Sequence, residues 1–245
     1  MCGQNADWLC SECFNRIKSL PTQLCPYCEK NITDSGSICP YCREKFLSKN
    51  APIPLDNLVV AASYRENAIS HLVHMYKYNF VRGLSVPLGQ IITEAILKNN
   101  LPLPDLIIPV PLHPRRERWR GFNQSELLAD HVSQNLTPGM AIPVANNLIL
   151  RARYTKPQMK IKNYQERQKN IKDIFKINPS RDNGGSTSSG RFGRERLNLQ
   201  TVGNKTILLV DDIATTGSTL FECGKILKKN GAKKVMGAVI ARQEV

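Results

Sequence analysis

The last part of the chain shows the clearest change from apolar to polar segments. Residues 207–210 are an uninterrupted apolar run, which is typical of a strand covered on both faces of a sheet. Thr219 and Glu222 have capping-box spacing and predict the start of a helix, which Gly231 would end in a left-handed conformation. One face of this helix repeats Leu220, Cys223, Ile226 and Leu227. A second strand is predicted at 235–241, so the segment is a strand–helix–strand unit.

Earlier segments predict the rest of a parallel sheet. The periodicity gives a strand at 58–64, helices at 66–78 and 84–97, and an apolar strand at 105–110. Pro87 is expected to break the second of these helices near its start. Asn123 and Glu126 have the spacing of an N-cap and its box partner and predict another helix. The alternation of strands and helices indicates an α/β fold with helices on both faces of the sheet.

Two carboxylates and a loop of small hydroxyl residues follow the apolar run at 207–210. Ligands in such sheets lie beyond the carboxyl ends of the strands, and a helix N-terminus suits a phosphate group. The residues expected to surround that phosphate are Ala214, Thr215, Thr216, Gly217, Ser218 and Thr219. Asp211 and Asp212 would repel a phosphate, so they are expected to accept hydrogen bonds from sugar hydroxyls or to help hold a divalent cation on a pyrophosphate.

A cluster of arginines follows the strand at 105–110. Arg115, Arg116, Arg118 and Arg120 are interpreted as a loop that could bind a pyrophosphate at the edge of the pocket begun by Asp211. A solvated basic turn is the alternative interpretation.

Three Cys-x-x-Cys pairs fill the N-terminal region. They are Cys10 and Cys13, Cys25 and Cys28, and Cys39 and Cys42. Two such pairs supply the four thiolates of a structural zinc site, and the near-identical second and third pairs are the best match. Cys2 is a further candidate ligand for the first pair, which alternatively could join Cys25 and Cys28.

The cysteine region is predicted to be a separate module. A zinc ribbon is assigned to residues 1–50, a stiff linker to 51–54, and the α/β domain to 55–245. An N-terminal cysteine nucleophile of the glutamine amidotransferase type is rejected, because about 50 residues filled with ligand pairs leave no room for a glutaminase domain.

The formal net charge is +14 and is unevenly distributed. Residues 151–200 carry 13 Lys and Arg against 4 Asp and Glu, which favours contact with polyanions or a solvated basic loop. A flexible basic loop is predicted at about 180–203, and its segment 182–193 is interpreted as an active-site flap, a plain insertion or a foreign linker. The absence of an apolar signal core or membrane-length segment, together with paired cysteines, predicts a cytoplasmic protein without membrane insertion.

The segment Val-Asp-Asp-Ile-Ala-Thr-Thr-Gly-Ser-Thr at 210–219 resembles the phosphoribosyl-pyrophosphate (PRPP) motif of type I phosphoribosyltransferases. That resemblance implies that Asp211 and Asp212, as the catalytic pair, take the ribose hydroxyls, that the loop takes the 5′-phosphate, and that Mg²⁺ accompanies PRPP. With the paired cysteines and the blocks at 109–116 and 120–129, nearly the whole chain resembles the competence protein F (ComF) family. The family implies a role in bacterial natural transformation, acting on single-stranded DNA with helicase-like and recombination-mediator proteins.

Three functions remain open from the sequence. The first is a PRPP-binding adaptor whose basic block meets single-stranded DNA, with Trp119, Phe122, Tyr154 and Phe175 as candidate stacking platforms. The second is an active phosphoribosyltransferase with an unknown acceptor. The third is a scaffold that binds partner proteins through the ribbon.

Overall fold

The computed structural model describes residues 8–155, 173–178 and 202–243. Its helices are α1 (Ser11–Asn15), α2 (Pro40–Leu47), α3 (Asn67–Tyr78), α4 (Ser85–Lys98), α5 (Pro114–Arg120), α6 (Gln124–Asn135) and α7 (Ser218–Lys229). Its strands are β1 (Gln23–Leu24), β2 (Ile32–Thr33), β3 (Asn57–Ser63), β4 (Leu106–Pro109), β5 (Ile149–Arg151), β6 (Phe175–Ile177), β7 (Thr206–Ala214) and β8 (Lys234–Arg242). Among these helices none is long and apolar enough to cross a membrane.

The central sheet has four strands in the order β3-β8-β7-β4, and all three pairings are parallel, which confirms the parallel sheet that the alternation of strands and helices predicted. Its two faces follow the two-residue period of a strand. Leu208 and Val210 belong to a core shared with α3, α4 and α6, whereas Ile207 and Leu209 belong to a core shared with α7 and the β5–β6 hairpin. Coverage on both faces explains the continuous apolar run of β7.

The structure tests three predictions about helix starts and ends. Pro87 does not break α4, because it lies in the first turn, where the missing N–H has no helical acceptor. The N-cap at Asn123 is confirmed, since its side chain accepts a hydrogen bond from the Ser125 N–H. Gly231 has φ +85° just beyond α7, which confirms the left-handed end of that helix.

The cysteine module packs along β3, the edge strand of the sheet. The Gln23 side chain donates to the Val60 carbonyl at 3.0 Å and accepts from the Val60 N–H at 2.9 Å. A Cβ atom on Gly36 would lie 2.0 Å from the Leu58 carbonyl oxygen, so only glycine permits this approach. The module therefore covers a strand edge that would otherwise offer unpaired backbone groups.

Candidate functional site

The carboxyl end of β7 opens into a cleft. β4 ends with Pro109 opposite Val210, so β7 continues past its neighbour with Asp211 and Asp212. The cleft is lined by Tyr64, Lys77, Tyr78, Val110, Pro111, Leu112, Arg116, Arg120, Asn123, Gln124, Ser125, Arg151, Asp211, Asp212, Ile213, Thr215, Thr219 and Gln243. Segments far apart in the chain thus meet where ligands of parallel sheets bind.

Each of the two acids accepts its hydrogen bonds from the described residues through only one of its two carboxylate oxygens. Asp211 Oδ1 accepts hydrogen bonds from Ser125 Oγ and from the Asp212 N–H, both at 2.9 Å. Asp212 Oδ1 accepts from the Ile213 N–H at 2.6 Å and lies 2.9 Å from Lys77 Nζ. Within the described parts of the chain, no such contact reaches Oδ2 of either acid. Each carboxylate therefore retains an oxygen that can accept a hydrogen bond from a hydroxyl.

The two acids have different electrostatic surroundings. Burial, and then the charge of Asp212, raise the pKa of Asp211 to about 7, although Lys77 and the Ser125 hydrogen bond oppose this. Asp212 forms a largely buried ion pair with Lys77, whose side chain is 15% exposed against 9% for the acid. Asp211 therefore changes its charge near neutral pH.

The loop after β7 presents only some of its hydroxyls to the cleft. Ala214 is the last residue of β7, and Thr215 and Thr219 line the cleft. Thr216 and Ser218 are buried, with their hydroxyl oxygens 2.6 Å apart. Thr216 and Ser218 thus stiffen the loop while Thr215 and Thr219 face the cleft.

The predicted capping box at Thr219 and Glu222 is wrong. α7 begins at Ser218, its N-cap is Gly217, and no side chain caps it. Gly217 has φ +71°, and a Cβ there would lie 3.1 Å from the Phe221 ring. The backbone at this position therefore requires glycine, which the two-residue error in the predicted helix start concealed.

The arginine cluster forms a helix, not the predicted loop. On α5, Arg116 and Arg120 are one turn apart and line the cleft, whereas Arg115 and Arg118 are exposed and do not line it. Arg151, at the end of β5, reaches the same cleft from another part of the chain. Burial, followed by the charge of Arg116, lowers the pKa of Arg151 to about 10.

Three buried nitrogen donors of the cleft have no hydrogen-bond partner among the described residues. They are Arg120 Nε, Gln124 Nε2 and Arg151 Nε. Buried donors are almost always satisfied, so their concentration in one cleft indicates a site for water or an acceptor ligand. Two of the three belong to cationic side chains, which favours an anion.

Lys77, Ser125 and Gln124 lie at the site, although no role was predicted for any of them from the sequence. A lysine in the last turn of a helix is common, because its charge complements the helix dipole. The sequence therefore could not distinguish Lys77 from an ordinary surface lysine. Ser125 and Gln124 lie in the first turn of α6, where polar residues are common. Only the folded topology brings them to the acids.

Four cysteines of the N-terminal module form a candidate metal centre. The Sγ atoms of Cys25, Cys28, Cys39 and Cys42 all lie within 4.8 Å of one another. A tetrahedral zinc bonded at about 2.3 Å separates its sulfurs by about 3.8 Å, and Cys28 and Cys39 Sγ are 3.8 Å apart. Asn31 Nδ2 donates to Cys39 Sγ at 3.2 Å, as outer contacts of metal thiolates do. The donor set therefore fits one zinc ion.

The other predicted ligands do not join this cluster. Cys10 flanks α1 and Cys13 lies within it, and neither belongs to the four-cysteine group. Cys2 lies outside the described residues, as do most of the basic block at 151–200 and the predicted loop at 180–203. Of the two pairings left open by the sequence, the structure has the one between the second and third pairs.

Comparisons with known proteins agree with this architecture. Residues 126–244 match the phosphoribosyl transferase domain family. The chain is 31% identical over 238 residues to competence protein F of Haemophilus influenzae, covering 96% of this chain and 90% of that protein. It is 31% identical over 231 residues to the DNA utilization protein YhgH of Escherichia coli K12, covering 93% and 87%, respectively. The chain, with its phosphoribosyltransferase domain and four-cysteine module, belongs to the competence protein F (ComF) family.

Proposed function

We propose that the cleft at the end of β7 binds PRPP. The observation that carries this proposal is that two carboxylates, each contacted by the described residues through only one of its oxygens, share one cleft with the unpartnered Nε donors of Arg120 and Arg151. Asp211 and Asp212 accept hydrogen bonds from the ribose hydroxyls, and the loop at 214–219 surrounds the 5′-phosphate. Arg116, Arg120 and Arg151 then bind the pyrophosphate.

Mg²⁺ is expected to arrive with PRPP. Apart from the four cysteines, the described residues form no group of three side chains placed to hold a metal ion. Mg²⁺ keeps several waters and is commonly bound by one or two carboxylates together with substrate phosphates. Asp211 or Asp212 would supply such a carboxylate, and the ion would offset charge on the pyrophosphate.

Calorimetric titration with PRPP and Mg²⁺ tests this site. We expect saturable binding to the wild-type protein and at least a tenfold loss in Asp211→Ala and Asp212→Ala, each checked for folding by circular dichroism. Arg120→Gln should weaken binding of PRPP and of pyrophosphate. Arg118→Gln, on the side of α5 that does not line the cleft, should leave both affinities unchanged. A folded wild-type protein that binds no PRPP contradicts the proposal.

We further propose that the protein handles single-stranded DNA during natural transformation, in the cytoplasm and with partner proteins of that pathway. The names of its relatives, a competence protein and a DNA utilization protein, support this role. The exposed side of α5 offers a suitable surface. Trp119 and Tyr154 are 62% and 45% exposed, and the Tyr154 ring lies 5.2 Å from the Arg115 guanidinium carbon. Phe122 and Phe175 are buried in the core and are unsuitable for stacking.

Fluorescence anisotropy with a labelled oligonucleotide tests the DNA surface. Arg115→Gln, Arg118→Gln and Trp119→Ala should each weaken binding, and the arginine variants should also reduce its salt dependence. Their affinity for PRPP should be unchanged. Wild-type affinity for the oligonucleotide in all three variants contradicts this surface.

An active phosphoribosyltransferase is the second candidate. The placement of Arg120 and Arg151 favours it, because cations around a pyrophosphate stabilise the charge that develops as the ribose C1–oxygen bond breaks. Pyrophosphate would leave with the bonding electrons while an acceptor nucleophile bonds to C1. Release of pyrophosphate on addition of a base or amine, lost in Asp211→Ala, would support this candidate over the adaptor.

A further inference from the structure

The cysteine knuckle formed by residues 25–29 lies directly against the loop that follows β7. Arg242, the last residue of β8, joins the two. Its Nε donates to the Thr215 carbonyl at 3.4 Å, and its two Nη atoms donate to the Pro26 carbonyl at 3.4 and 3.3 Å. Nη2 also lies 2.5 Å from Glu29 Oε1, and the Arg242 side chain is 12% exposed. One guanidinium therefore connects the loop carbonyl to the knuckle.

An aromatic contact joins the same two segments. The rings of Tyr27 and Phe221 stack with centroids 4.8 Å apart and planes 9° apart. Phe221 lies in the first turn of α7, and its ring would lie 3.1 Å from a Cβ atom on Gly217. The Tyr27 hydroxyl is fixed by the backbone of Leu55, donating to its carbonyl and accepting from its N–H, both at 2.9 Å. Tyr27 thus packs against the first turn of α7 through Phe221.

The metal ligands determine where these knuckle residues lie. Pro26 and Tyr27 stand between Cys25 and Cys28, and Glu29 follows Cys28 directly. Glu29 has φ +57°, and its N–H donates to the Cys25 carbonyl at 3.0 Å. A non-glycine residue keeps such a backbone only when its surroundings impose it. Coordination of Cys25 and Cys28 to one ion would impose it here.

We propose that the metal-bound knuckle positions the phosphate loop, and that Arg242 is the positioning residue that connects them. The inference rests on the proposed PRPP site, since it assigns a support to the 5′-phosphate half of that site. The pyrophosphate half, formed by Arg116, Arg120 and Arg151, has no contact with the knuckle among the described residues. Loss of the metal or of Arg242 should therefore affect the two halves unequally.

Hydrogen exchange measured by mass spectrometry on the full chain tests the support without any ligand. The samples are the zinc-loaded wild type, the chelator-treated wild type, Arg242→Met and Glu29→Gln. Exchange in residues 214–221 should rise about tenfold in each altered sample, because each one loses contacts that hold the loop against the knuckle. Exchange in β4 and α6 should stay at the wild-type rate.

A matched control is available in the same module. Arg16→Met also breaks a 2.5 Å ion pair, with Glu12, but this pair is exposed and joins two residues one helical turn apart. It should leave exchange in 214–221 unchanged. If removal of zinc by the chelator unfolds the whole protein, the Glu29→Gln variant, which retains its zinc, replaces that sample as the test of the proposal. Loop exchange at the wild-type rate in both Arg242→Met and Glu29→Gln overturns the proposal.

Calorimetry then connects the support to ligand binding. Arg242→Met should bind ribose 5-phosphate about tenfold more weakly, keep its affinity for magnesium pyrophosphate, and regain part of the loss as Arg242→Lys. Equal losses for both ligands would contradict a positioning role. A wild-type protein that binds neither ligand would refute the proposed PRPP site, while the exchange experiment would still decide whether the knuckle supports the loop.

Discussion

The charge of Asp211 provides a prediction that links the stability of the fold to its site. Burial and the neighbouring charge of Asp212 raise its pKa from 3.8 to about 7. The folded state therefore keeps a proton that the unfolded state loses between these two values. Because the unfolded state then binds fewer protons at this residue, the contribution of Asp211 to the free energy of unfolding should fall as the pH rises from about 4 to about 7, and level off above it.

The perturbation is Asp211→Asn, which keeps the side-chain shape and the acceptor for Ser125 but cannot ionise. A pKa difference contributes about 1.36 kcal/mol per pH unit. The two units between pH 5 and the pKa of about 7 therefore predict that the variant gains about 3 kcal/mol relative to wild type between pH 5 and pH 8. The difference between the variant and the wild type should be smallest at acidic pH, where residue 211 is neutral in the folded and unfolded states of both proteins.

Urea unfolding at several pH values measures this difference. Asp34→Asn, at an exposed residue of the cysteine module, controls for the general loss of one negative charge. Asp211→Asn should also bind PRPP more weakly than the wild type, and the affinity of the wild type for PRPP should increase as Asp211 ionises. A stability difference between Asp211→Asn and wild type that is constant from pH 5 to pH 8 would refute the argument.

Three other substitutions test separate parts of the structure. Lys77→Met leaves Asp212 buried without its partner and should lower the free energy of unfolding by about 3–5 kcal/mol, measured by urea unfolding; a loss below 1 kcal/mol would contradict a buried pair. Gly217→Ala should cost about 1–2 kcal/mol and weaken PRPP binding, because its φ is +71°; wild-type values in both assays would disprove the need for glycine. Cys39→Ser should lose the bound zinc seen in wild type by atomic absorption, and zinc retained at the wild-type ratio would exclude Cys39 as a ligand.

The central β7–α7–β8 unit was predictable because its signals are local. The apolar run of β7 and the glycine after α7 depend on nearest neighbours in sequence, and both agree with the structure. The clustering of Cys25 and Cys28 with Cys39 and Cys42 was predictable for the same reason, since two similar knuckles lie close together in the chain.

The remaining part of the site depends on contacts between distant segments. Arg116 and Arg120 face the cleft because residues 114–120 form a helix, whereas the density of charge there favoured a loop. Lys77 reaches Asp212, and Arg151 reaches the same cleft, only through the order of strands and helices. No local pattern could have shown that Arg242 joins the metal knuckle to the loop.

A crystal structure of the protein with PRPP and Mg²⁺ tests the central claim most directly. We predict ribose hydroxyls within hydrogen-bonding distance of Asp211 and Asp212, the 5′-phosphate at the loop of residues 214–219, and the pyrophosphate beside Arg116, Arg120 and Arg151. PRPP bound with its two ends exchanged, or bound away from the acid pair, would contradict the account.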